Sequence, residues 1–101
     1  MGQITLGEIL DDLRAADEAL RRFESRYWLS STHFFELYSQ GLLDNGEYLE
    51  DFSEWASYYK LKLKREAALE QISRQQLERL RDLAAGASIE LRPQEPVLEI
   101  A

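Results

Sequence analysis

"EYLEDFSEWASYYKLKLKREAALEQISRQQLERLRDLAAG", residues 47–86, holds neither glycine nor proline before its last position. Nothing inside it stops a helix, and at 1.5 Å per residue the part from 51 to 85 would reach roughly 50 Å. A compact domain of about 100 residues has a radius of gyration near 13 Å. A helix of this length therefore overhangs any globular body that 101 residues can build. The expected architecture is all-α: an elongated helical hairpin with long helices over about 5–27 and 48–85, a short helix over about 31–40 between them, and an extended C-terminal arm.

On a helical wheel the long segment carries two apolar surfaces. Phe52, Trp55, Ala56, Tyr59, Leu63, Leu77, Leu80 and Ala84 share a broad face, and Tyr58, Leu69, Ile72 and Leu83 form a flank beside it. The first helix can cover one of them. The other is left for a partner chain or a second copy.

Toward the N-terminus, Leu6, Ile9, Leu10, Leu13, Ala16, Leu20, Phe23 and Tyr27 recur at three- and four-residue steps, which predicts a helix over residues 4–27. Thr5 and Glu8 have the spacing of a capping box, each side chain satisfying the other's backbone N–H. Gly7 costs about 1 kcal/mol relative to Ala and does not outweigh so regular a stripe. Ser30 is the expected N-cap of the short helix, with Leu29 stapled to Phe34. Gly41 is expected to end it in a Schellman cap that brings Leu42 back to Leu37. "LLDNGEY", residues 42–48, then turns the chain, and either Asp44 with Glu47 or Asp51 with Glu54 opens the third helix.

Past Gly86 the pattern changes. Residues 87–101 alternate Ile89 and Leu91 with polar side chains, break at Pro93 and Pro96, and end in Val97, Leu98 and Ile100. Residues 1–86 thus read as one helical domain and 87–101 as an extended arm, too short to form a sheet alone. The arm is either a frayed tail or one folded back on the helices, or else it adds to another protein's sheet edge or lays its apolar side chains in that protein's groove.

Charge narrows the partners. The net charge is −7, and residues 1–59 hold twelve acids against four bases, while 60–101 hold seven against eight. An acidic surface repels phosphate, which disfavours nucleic acid. The cluster Lys60, Lys62, Lys64 and Arg65 points to several sides of a helix rather than along one stripe. With no cysteine there is neither a disulfide framework nor a thiolate metal site. No apolar run approaches the ~20 residues of a membrane span and the first segment lacks the form of a signal peptide, so a cytoplasmic address is expected.

Chemistry is not signalled either. His33 stands alone, and "DNGEYLED", residues 44–51, places its glycine third, where a calcium loop of the EF-hand type needs it sixth. The acid pairs Asp11 with Asp12 and Glu50 with Asp51 are adjacent and diverge on a helix, unlike a general acid and base facing one bond. No cofactor, catalytic or metal residue is assigned, and the chain is not expected to be an enzyme.

One stretch carries a resemblance. In residues 30–61, Ser30, Ser31, Phe34 or Phe35, Tyr38, Gly41, Leu43 and Asp44 are followed by Asp51, Phe52, Glu54, Trp55, Ala56, Ser57 and Tyr59. This pattern, covering about a third of the chain, resembles that of a family of small prokaryotic antitoxin-like proteins. The resemblance implies an inhibitor encoded beside a small toxin, often a suspected ribonuclease, which it neutralises by direct contact. The partner-binding residues expected on the chain itself are Tyr58, Leu69, Ile72 and Leu83 on the helix flank and Ile89, Leu91, Val97, Leu98 and Ile100 on the arm. The alternative is a self-associating helical scaffold or adaptor without a toxin partner, the same flank forming a homodimer seam.

Overall fold

Thr5 opens the first helix as its spacing predicts. In the computed structural model, which describes residues 4–44 and 46–93, the Glu8 backbone N–H donates to Thr5 Oγ1 at 3.0 Å and the Thr5 N–H donates to the Glu8 carboxylate at 2.9 Å. The helix that follows, α1, runs Leu6–Tyr27. Ser30 then caps α2, Ser31–Ser39, by accepting from the His33 N–H at 3.1 Å. Gly41 ends α2 at φ 70°, with Gly41 N–H donating to the Tyr38 carbonyl and Leu42 N–H to the Leu37 carbonyl, both at 3.1 Å. Those two bonds are the Schellman pair.

The third helix, α3, spans Leu49–Ala84, and its start differs from both expected pairs. Tyr48 occupies the N-cap position and offers no side-chain cap. Asp44 is used earlier, accepting from the Gly46 N–H at 3.2 Å within the turn. Asp51 lies inside the first turn, where its carboxylate accepts from the Tyr27 hydroxyl at 2.5 Å and lies 3.5 Å from the Arg26 guanidinium. A tertiary partner thus takes the carboxylate that would otherwise have capped the helix. Glu50 and Asp51 still complement the positive end of the α3 dipole.

α1 and α3 pack antiparallel. Tyr27 bonds to Asp51 at one end, Asp12 pairs with Arg65 at 2.7 Å in the middle, and Leu6 shares a groove with Leu69 and Ile72 at the other. The 22 residues of α1 are about 33 Å long and the 36 of α3 about 54 Å. α1 therefore stops opposite residue 72 or so, and about three turns of α3 continue beyond it. The molecule measures 58 × 26 × 25 Å, with a radius of gyration of 18.3 Å. This corrects the expectation that α1 covers one whole face of α3: Leu77, Leu80 and Ala84 lie past its end.

The core gathers at the opposite end, where α2 crosses. Leu20, Phe23, Phe34, Trp55 and Ala56 form one buried cluster, and Ile9, Ala16 and Ala19 extend the α1 seam. Leu10, counted in the apolar stripe, is exposed. Trp55 lies flat on Phe34, ring centroids 3.9 Å apart, and stacks on Phe23 and Tyr27 at 5.5 Å. Leu29 packs against the same cluster, in keeping with its staple position.

Candidate partner-binding surface

Two regions of the chain could carry recognition: the aromatic corner and the α3 overhang with the arm. The corner is largely consumed by its own fold. Ser31, almost fully buried, donates through its hydroxyl to the Glu24 carboxylate at 2.6 Å and accepts from Trp55 Nε1–H at 2.8 Å, while its backbone N–H also donates to Glu24 at 3.0 Å. Among the described residues no buried side-chain N or O atom is left without a hydrogen-bond partner, as a low-dielectric site requires. Phe35 lies 5.0 Å from Tyr59, and the Tyr59 hydroxyl reaches Thr32 at 3.4 Å. The residues of the Ser-Ser to Trp-Ala-Ser pattern thus hold α2 onto α1 and α3. Tyr58, expected on the partner flank, is partly buried against this cluster.

Tyr27 is the one titratable group whose behaviour the corner visibly changes. Burial first, and then donation to the Asp51 carboxylate, raise its pKa from 10.0 to about 12. Losing the proton there would place a phenolate against a carboxylate, so the neutral form is held.

The other expected residues fall at the opposite end. Leu69 and Ile72 are half-buried in a groove of about 430 Å³ that they form with Leu6, Gln76, Leu77, Leu80 and Leu91. Leu83 stands 77% exposed on the last turn of α3, and Leu77 and Leu63 are exposed along the same helix. Ile89 shares a smaller cleft of about 200 Å³ with Leu80, Leu83 and Ala84. Leu69, Ile72, Leu83, Ile89 and Leu91 are therefore brought to one end of the rod, and Tyr58 is set apart from them. Val97, Leu98 and Ile100 lie outside the described residues.

Two placements were not expected from the sequence, Leu6 in the groove and Trp28 at the other end of α1. Leu6 forms one wall of the groove, which aligning the 22-residue α1 antiparallel to α3 would have placed there. Trp28 is 91% exposed and closes α1 in a left-handed conformation, φ 58°. Its signal was an unexplained large aromatic between the last stripe residue, Tyr27, and the staple, Leu29.

The basic cluster disperses on the folded chain. Arg65 is taken by Asp12, and Lys60 lies 5.9 Å over the Phe35 ring. Among the described residues no group of three or more His, Asp or Glu side chains could hold a metal ion, and no helix is long and apolar enough to cross a membrane. A cavity of about 400 Å³ between Tyr38, Leu43, Asp44 and Phe52 sits beneath the loop after α2, and its one carboxylate is already bonded to Gly46. No family model matches this chain, and neither does any curated protein or solved structure.

Proposed function

We propose that the chain is a protein-binding module, an antitoxin-like inhibitor that neutralises a small toxin by direct contact in the cytoplasm. The observation that carries this reading is the overhang of α3. A helix continued for about three turns past the end of α1, with Leu77 and Leu83 exposed on it, adds nothing to its own core and supplies apolar area to another protein. The acidic bias of residues 1–59, twelve acids against four bases, favours a basic partner such as a nuclease with a positive substrate groove. The resemblance of residues 30–61 gives the partner its class.

Co-expression with the product of the neighbouring open reading frame tests the proposal. The two should co-purify, and the chain should relieve growth inhibition by its neighbour. A neighbour that neither co-purifies nor inhibits growth contradicts the inhibitor reading. Constitutive dimers in light scattering of the isolated chain would instead favour the scaffold.

A further inference from the structure

The surface expected to bind a partner is folded against itself. Ala85 and Gly86 follow α3 with φ of 50° and 88°, two consecutive left-handed residues, and the Ala87 N–H donates to the Ala84 carbonyl at 2.9 Å. This turn reverses the chain, so the arm runs back along the helix it has just left. Ile89 reaches the cleft at Leu80, Leu83 and Ala84, and Leu91 reaches the groove beside Ile72 and Leu77. Their spacing of two residues puts both side chains on the same side of an extended segment.

The burial pattern supports the contact. Leu80 and Ala84 lie beyond the end of α1 and are nevertheless half-buried. The described residues beside Ala84 are those of the arm, and Leu80 has the arm on one side and Leu6 at the start of α1 on the other. Leu83, on the rim of the Ile89 cleft, stays exposed. Cover is incomplete, because Ile89 remains 46% and Leu91 75% exposed. An arm held by two half-engaged side chains, across a hinge containing glycine, is readily displaced.

We propose that residues 88–92 are an intramolecular strap: in the free chain they occupy the apolar groove of the α3 overhang, and they leave it when a partner's apolar segment takes their place. Groove and arm cannot present to a partner the surfaces they bury against each other. Partner engagement is thus coupled to opening of the arm. The closed strap is independent of what the partner is. Only its displacement rests on the protein-binding function proposed above.

The test uses the full chain and no partner. The double variant Ile89→Asp with Leu91→Asp removes the strap's two apolar contacts from outside the three helices, so helicity by circular dichroism should be unchanged. A fluorescent dye that binds exposed apolar surface serves as the probe for the open groove. The variant should enhance dye emission at least about twofold over the wild type, as expected when an apolar groove is uncovered. The milder Ile89→Ser with Leu91→Ser variant should do the same, and the Leu80 and Ile72 methyl resonances should shift in both. Equal dye emission from wild type and both variants overturns the strap, whatever the resonances do. Failure to capture a neighbour-encoded toxin would leave this result unaffected.

Discussion

Trp28 is the residue whose position the fold explains least by packing. At the end of α1 a left-handed residue is normally glycine, which lacks the Cβ that clashes there, and here it is a tryptophan with 91% of its surface in water. Trp28→Gly should therefore stabilise the chain by up to about 1 kcal/mol, the roughly 1–2 kcal/mol that a side chain costs at such a φ less the roughly 0.5–1 kcal/mol of extra backbone entropy that glycine loses on folding. Urea unfolding monitored by helicity checks this, and a loss of stability would show that the indole is structurally engaged. Tyr27 makes a prediction of opposite character. Because its folded-state pKa is raised from 10.0 to about 12, its contribution is fully present below pH 10 and is lost as pH rises toward 12. Tyr27→Phe should flatten the alkaline fall in stability over that interval, seen in urea midpoints taken across it. A variant that falls as steeply as the wild type would mean that the Tyr27–Asp51 bond does not report on folding.

At the scale of elements, caps were legible and starts without caps were not. Thr5, Glu8, Ser30 and Gly41 announce their helix ends because each acts through a local bond within a few residues. Asp51 misleads for the converse reason: its partner, Tyr27, is 24 positions away, and no local rule weighs a tertiary hydrogen bond against a cap. The stripe on α1 was legible as a period, but Leu10 is exposed because the groove between two helices is narrower than the apolar face that sequence defines. The arm was legible as a break in pattern and its return onto the helices as one of several readings; what chose between them was not, since that depends on left-handed φ at a non-glycine, Ala85. Energetics make the strap a loose element. Full burial of an Ile or Leu side chain is worth about 1.5–3 kcal/mol, and Ile89 and Leu91 are each only partly covered. Hydrogen exchange should accordingly find the amides of residues 88–92 nearly unprotected. Amides of residues 75–84 should exchange faster than those of 55–66, which α1 covers. Uniform protection along the whole of α3 would contradict this division.

The whole molecule is a rod with a division of labour between its ends. One end spends nearly all its aromatics on locking α2 into a corner, with Trp55, Phe34 and Phe23 stacked and the Ser31 hydroxyl joining Trp55 to Glu24. The other end is a helix that runs out beyond its neighbour, where among the described residues the arm, with Leu6 at its edge, lies against it. Length alone carried this much of the shape in the sequence: 39 residues between Gly46 and Gly86 against about half as many in the first helix. What length could not give is the placement of the recognition candidates, for Tyr58 turned toward the corner while Leu69, Ile72, Leu83, Ile89 and Leu91 met at the far end. The most direct measurement is the affinity of the purified chain for the protein encoded beside it, compared between wild type and Leu83→Asp, a surface change that leaves the core untouched. The account predicts a wild-type complex and at least a tenfold weaker one for the variant, equivalent to about 1.4 kcal/mol, with helicity unchanged. Equal affinity of the two proteins, or no complex with the wild type, would contradict it.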